Sequence, residues 1–205
     1  DKIDAGAAND TVFGDAGDDS VSGGAGLDSI EGNAGNDTLN GMADNDRIEG
    51  GDGDDKIFGG AGNDVMLGGL DNDEINSQGG NDTMLGEEGD DKLNGGAGNE
   101  LMFGGDGNDS MNGMAGNDPM LGDDGDDTML GGAGNDLVLG GKGGDDVVNG
   151  QSGKDSVSGG GDQDVIFDGS KERIDNFSHN DQDDVADSHD EFYALFDPSL
   201  FEDIV

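Results

Sequence analysis

Gly59–Leu67, GGAGNDVML, is the stretch whose reading decides the fold. Its form is G-G-x-G-x-D-x-U-x, with U aliphatic. Counting nine residues at a time from Ala5 gives fifteen unbroken units to Leu139. One extra Gly at Gly140 or nearby shifts the frame, and three more units run from Gly141 to Phe167. Across these 18 units the sixth residue is Asp in 17 and Glu100 in the other, and the eighth is always Val, Ile, Leu or Met. Gly holds the first position in 16 and the fourth in 14, the departures at the fourth being Ala8, Asp44, Asp71 and Asp162. One such nonapeptide is weak evidence of architecture, but eighteen in register specify a repeat protein. Residues 5–40, 41–76, 77–112 and 113–149 also align as four blocks, the simple sign of duplication four units at a time.

Composition narrows what such a repeat can be. Gly is 44 of 205 residues, aromatics are 4%, and the formal charge is −42. Low hydrophobicity with high net charge reads as disorder unless a counter-cation is supplied. So acidic a chain repels nucleic acid and anionic membranes, which excludes both as expected partners. There is no Cys to staple a thin core. No apolar run approaches membrane-spanning length, and no basic-then-apolar signal opens the chain. Asp1-Lys2-Ile3-Asp4 fits positions six to nine of a preceding unit, so an upstream segment is expected.

Each position of the unit has a physical reason. The eighth is the one dependable apolar place, which suggests a three-residue strand with a single inward side chain. The six residues before it form a turn, with Gly where the backbone takes positive φ or passes close to a ligand. Two strands and two turns close one eighteen-residue coil of a flattened right-handed solenoid. Eighteen units give about nine coils, roughly 43 Å at the ~4.8 Å strand spacing. Nine ordered residues per buried aliphatic side chain is a poor exchange, so the fold needs another source of stability. Stacking also places Asp10, Asp28, Asp46 and Asp64 in one column and Asp19, Asp37, Asp55 and Asp73 in another. A hard dication turns that repulsion into attraction. Ca²⁺ accepts carboxylate and carbonyl oxygens in a flexible shell, whereas Mg²⁺ holds its waters and demands an octahedron. About sixteen inter-coil sites would offset roughly 32 of the 42 formal negative charges.

The units GDAGDDSVS (14–22), GGAGNDVML (59–67) and GGAGNDLVL (131–139) resemble the RTX, or haemolysin-type, calcium-binding nonapeptide repeat. The resemblance covers 1–167. It implies an all-β fold, a right-handed parallel β-roll (β-solenoid) with two repeats per coil, Ca²⁺ between successive loops, and unfolding when calcium is low. Carried over residue by residue, it places calcium ligands at Asp10, Asp19, Asp28, Asp37, Asp46, Asp55, Asp64, Asp73, Asp82, Asp91, Glu100, Asp109, Asp118, Asp127, Asp136, Asp146, Asp155 and Asp164. Glu100 is a longer carboxylate and departs from the pattern, and loop geometry is expected to change where the fourth Gly is replaced. In 168–205, Arg173-Ile174-Asp175-Asn176-Phe177 followed by Asp183-Asp184-Val185 resembles the segment that caps such rolls. Asp190–Leu195 suits one or two helical turns. The terminus Glu202-Asp203-Ile204-Val205 resembles type I secretion signals, which implies passage through an ABC exporter and folding outside the cell.

One row goes beyond the generic motif. In odd-numbered units the ninth position reads Phe13, Glu31, Glu49, Leu67, Leu85, Phe103, Leu121, Leu139, joined in part by Val65, Leu101, Pro119 and Leu137 at the seventh. Alternation places it outside, so it is expected to be an exposed apolar strip for homo-assembly, an upstream domain or the C-terminal segment, unless it folds over the strand edges as extra core. Catalytic constellations are absent from the sequence: no H-E-x-x-H and no G-x-S-x-G, and Asp187-Ser188-His189-Asp190 is a consecutive polar run. The abundant carboxylate pairs are expected to be equivalent, exposed and metal-satisfied, and the eighth-position Met residues to fill the core. The expectation is a non-enzymatic, secreted or cell-surface calcium module. Its parent would be a secreted protease or lipase, an adhesin or S-layer protein, or an extracellular assembly. Rows such as Ala61/Asn63, Ala97/Asn99 and Ala133/Asn135 leave ice or polysaccharide binding open.

Overall fold

The computed structural model describes residues 1–168 and 171–173, with side chains over 1–167. The chain winds as a parallel β-solenoid, alternating between two sheets at each unit. The first sheet holds eleven strands, from Lys2–Ala7 to Val165–Asp168 and Lys171–Arg173, and the second holds nine, from Thr11–Ala16 to Ser156–Gly160. Each residue pairs with its equivalent eighteen residues on, as in Lys2↔Ser20 and Met66↔Met84, so two units make one coil of the β-roll.

The strands are longer than the pattern of side chains suggested. Val65–Leu70 and Lys92–Ala97 are six residues each, spanning positions seven to nine of one unit and one to three of the next. The turn between strands is correspondingly short, Asp71–Asp73 after Val65–Leu70. Two residues per strand face inward, the aliphatic eighth and the Gly at position one. Gly carries no side chain, so its inward place leaves no hydrophobic mark in the sequence.

At position two the backbone is left-handed in every unit. Gly often takes this place, but so do Asp15 (φ 72°), Met42 (φ 83°), Gln78 (φ 76°) and Met114 (φ 71°). Such a residue turns the strand through a corner while ladder pairing continues past it, as in Glu87↔Gly69 and Glu88↔Leu70. Of the replaced fourth-position glycines, Asp44 (φ 76°), Asp71 (φ 74°) and Asp162 (φ 58°) adopt the left-handed conformation themselves.

The frame shift lies beyond Gly140. Leu121 pairs with Leu139 and Asp123 with Gly141, so Gly140 is a first-position residue and Gly141 a second-position one. The extra residue is absorbed at Lys142–Gly143, and the register becomes nineteen, as in Thr128↔Val147.

The core is a single file. Val12, Val21, Ile30, Leu39, Ile48, Ile57, Met66 and their successors to Val148 form one cluster, one side chain from each strand. Met66, Met84, Met102, Met120 and Met129 are fully buried in it, as core filling requires. At the far end Lys171–Arg173 pairs antiparallel with Val165–Asp168, setting Arg173 opposite Ile166. Among the described residues no helix is long and apolar enough to cross a membrane. The capping motif beyond Arg173, the helical turns at 190–195 and the secretion-like terminus lie outside the described residues.

Candidate metal centres

The sixth residue ends each short turn, where its carboxylate reaches back one coil. Asp46 N–H donates to Asp64 Oδ1 at 2.9 Å, and Asp64 N–H donates to Asp82 Oδ1 at 2.8 Å. The opposite edge repeats this, with Asp37 N–H on Asp55 Oδ1 at 2.7 Å and Asp55 N–H on Asp73 Oδ1 at 2.8 Å. The structure thus gathers the eighteen expected ligands into two columns, Asp10 to Asp155 and Asp19 to Asp164.

These carboxylates were expected to be exposed, and they are not. Asp37, Asp55, Asp64 and Asp127 are each 1% exposed, and Asp118 is fully buried. The turn packs the carboxylate over the Cα of the first-position Gly of its own unit: a Cβ added to Gly59 would collide with Asp64 Oδ2. The same point lies 3.0 Å from the carbonyl oxygen of Ser77, the equivalent residue one coil on. Gly at position one therefore makes room for an acidic oxygen beside a backbone carbonyl.

The second carboxylate oxygen is the telling one. Oδ2 is buried without a hydrogen-bond partner in Asp10, Asp19, Asp28, Asp37, Asp46, Asp55, Asp64, Asp73, Asp82, Asp91, Asp109, Asp118, Asp127, Asp136 and Asp146. A buried anionic oxygen without a donor is costly, and native proteins rarely tolerate one, let alone a column. Burial pushes nine of these groups up: Asp73 and Asp127 to about 8, Asp109 and Asp146 to about 7, and Asp46, Asp55, Asp64, Asp91 and Asp118 to about 6. The backbone N–H on Oδ1 opposes the shift, and neighbouring carboxylates of the column add to it at Asp73 and Asp127. Among the described residues no three His, Cys, Asp or Glu side chains converge on one point. One carboxylate per rung with Gly-rich turn carbonyls is instead a mixed, all-oxygen donor set, which fits Ca²⁺ and not a soft or imidazole-preferring metal.

The sequence matches the family model described as the RTX calcium-binding nonapeptide repeat (4 copies), in overlapping matches over 1–30, 14–48, 22–55, 40–75, 77–111, 103–138, 112–145 and 140–167. The chain belongs to that RTX family. A comparison with curated proteins finds no match.

One rung of the RTX columns differs. Glu100 is fully buried, and both its carboxylate oxygens lack a partner. Glu100 N–H still donates to Asp118 Oδ1 at 2.9 Å, but Asp82 has no matching bond onto Glu100 among those seen along the column. Its oxygens lie beside Gly95 and Gly98, and burial, with the Asp118 and Asp82 charges adding to it, raises Glu100 to about 8. In the same column Ser77 replaces the first-position Gly and donates its hydroxyl to the Gly95 carbonyl.

The RTX turn holds a second ladder that sequence reasoning passed over. At position five, Asn63 Oδ1 accepts from Asn81 N–H, Asn81 Oδ1 from Asn99 N–H and Asn99 Oδ1 from Asn117 N–H, each at 2.8 Å. The near-continuous Asn/Asp at position five was the available signal. These bonds occupy the side-chain carbonyls of Asn63, Asn99 and Asn135, whose Oδ1 accepts from Lys154 N–H at 3.1 Å.

The expected apolar strip is largely covered. Leu67, Phe103 and Leu121 are 3%, 4% and 0% exposed, while Leu85 and Leu139 are half-buried. Phe103 and Leu121 form their own cluster with Leu85, Leu101, Leu137 and Leu139, separate from the single-file core.

Proposed function

We propose that this RTX roll is a calcium-folded structural module, non-catalytic in itself, of a protein exported through a type I ABC exporter to the extracellular space or cell surface. The observation that carries the reading is the pair of columns of buried carboxylates facing Gly-rich backbone, with oxygens left without a hydrogen-bond donor from Asp10 to Asp146. Position-six Asp residues and adjoining turn carbonyls would hold Ca²⁺, and the bound ion would supply the positive charge that this burial otherwise lacks. About sixteen ions per chain would fill the spaces between successive loops. Without them, the folded form sets buried like charges against a one-residue-wide core, so the chain stays unfolded in calcium-poor cytoplasm. At the ~10⁻⁴–10⁻³ M calcium of extracellular modules, binding free energy becomes folding free energy.

The test is a calcium titration followed by far-ultraviolet circular dichroism, with magnesium in parallel. The expected result is a cooperative gain of β signal at submillimolar to millimolar calcium and little gain with magnesium. A spectrum indifferent to calcium would overturn the proposal.

A further inference from the structure

Along the column from Asp28 to Asp136, each position-six residue accepts two backbone N–H groups, with one exception. One N–H comes from the preceding coil onto the carboxylate, the other from the following coil onto the carbonyl. Asp64 accepts from Asp46 N–H and Thr83 N–H, both at 2.9 Å. Asp82 accepts from Asp64 N–H and Leu101 N–H, both at 2.8 Å. Glu100 accepts neither. Asp82 N–H has no bond onto its carboxylate, and the following coil offers Pro119, which carries no N–H. Pairing of these strands therefore begins one residue late, at Met102↔Met120, where the preceding pair begins at Thr83↔Leu101. The next such bond, Leu137 N–H onto the Asp118 carbonyl, is stretched to 3.2 Å. Glu100 is the one position-six residue that is not Asp, Pro119 is the one Pro in 1–167, and the fold sets them against each other. The opposite edge is unbroken at these coils, where Asp109 accepts from Asp91 N–H and Thr128 N–H, both at 2.8 Å.

We propose that Glu100 marks a built-in gap in the roll, where the turn Gly98–Glu100 and the start of the strand Leu101–Asp106 open locally while the opposite edge stays closed. Asp82 and Glu100 are buried, and a buried N–H or carbonyl left unpaired raises the closed form relative to an open one in which water pairs it. Opening any other turn between Asp28 and Asp136 breaks both accepted bonds, whereas opening this one breaks neither. Neighbouring bonds set its extent. The Ser77 hydroxyl on the Gly95 carbonyl ties the first sheet just ahead of the turn, so the movement begins after it. Asn99 N–H on Asn81 Oδ1, at 2.8 Å, is the outer bond that has to break. A stacked array frays from its ends, because inner coils are held on both sides. Here an inner coil has its own place to open, uncovering the Glu100 carboxylate and Met102 of the core. The opening follows from backbone bonds and holds whichever cation fills the columns.

Native-state hydrogen exchange, read by NMR on the folded full-length chain, tests this residue by residue. Glu100 and Leu101 N–H are both hydrogen-bonded, as are their equivalents Asp64 and Val65 two coils earlier. Glu100 and Leu101 are nevertheless expected to show protection on the order of tenfold lower than Asp64 and Val65. Ser110 and Thr128, on the opposite edge, are expected to keep full protection. The double variant Glu100→Asp, Pro119→Val restores residue types that the repeat carries at Asp64 and Val65, and is expected to remove the difference. Fast exchange at Asp82 alone, with Leu101 as protected as Val65, would overturn the proposal in favour of a static missing bond. Equal loss at Ser110 and Thr128 would overturn it in favour of whole coils opening together. The comparison within the unaltered chain decides between these outcomes even if the double variant does not fold.

Discussion

At the scale of single residues, the ninefold pattern tells which places are acidic and which are apolar, but conceals two backbone requirements. The left-handed corner at position two is hidden because Asp, Asn, Gln, Glu and Met all occupy it, as Asp15, Asn33, Gln78, Glu87 and Met114 show. At Met114 (φ 71°) the fold holds a residue that disfavours its conformation, so Met114→Gly is expected to be neutral or stabilising by up to about 1 kcal/mol in thermal melts of the calcium form. Gly80 is the opposite case. Its φ is 149°, and a Cβ there would run into the Gly62 carbonyl oxygen of the preceding coil. Gly80→Ala is therefore expected to cost on the order of 2 kcal/mol or more in the same melts. Glu100 was legible as a departure, though its consequence needed coordinates. Glu100→Asp is expected to restore an acceptor for the Asp82 amide, stabilising the roll by about 1 kcal/mol and lowering the calcium midpoint. An unchanged or higher midpoint would mean that the longer carboxylate suits its rung.

At the scale of the strand, alternation around position eight was readable, and it suggested three residues. The strands are six because the second inward residue is Gly, which leaves no apolar mark, and because pairing continues past the left-handed corner. The same Gly explains the site, since its missing Cβ is where the carboxylate oxygen sits. The position-five ladder was likewise visible as composition but not as bonding, because its acceptor is spent on a backbone N–H eighteen residues away. A core one side chain thick makes each strand's contribution simple. Met102 is fully buried within the file, so Met102→Ala is expected to cost about 2–5 kcal/mol and Met102→Leu less than about 1.5 kcal/mol, measured by denaturant melts in saturating calcium. In a stacked array each strand touches only its neighbours, so the alanine variant is also expected to raise the calcium midpoint for the whole roll.

At the scale of the whole molecule, a charge of −42 is legible from composition, but its burial is not. The sequence suggests exposed carboxylates, while the turns fold them inward, where desolvation raises Asp46 to about 6 and Asp73 and Asp127 to about 8. The direction of the pH effect follows. A carboxyl raised above its unfolded value of about 3.9 favours the folded, metal-free state only while protonated. That contribution is complete below about pH 4 and is lost as pH rises through 6 to 8. In chelator the chain is thus expected to gain β signal on acidification towards pH 4 and lose it towards pH 8. Calcium loading near pH 6 to 7 is expected to release protons, measurable with an indicator dye. Charge, turn geometry and partnerless oxygens converge on one quantity, the number of calcium ions held per folded chain. Equilibrium dialysis of the full-length protein at ~10⁻³ M calcium, neutral pH and known protein concentration measures it. About sixteen ions per chain, bound over the same calcium range in which the β signal appears, is the expected result. A full β signal in chelator at neutral pH, or only one or two ions on the folded chain, would contradict the account.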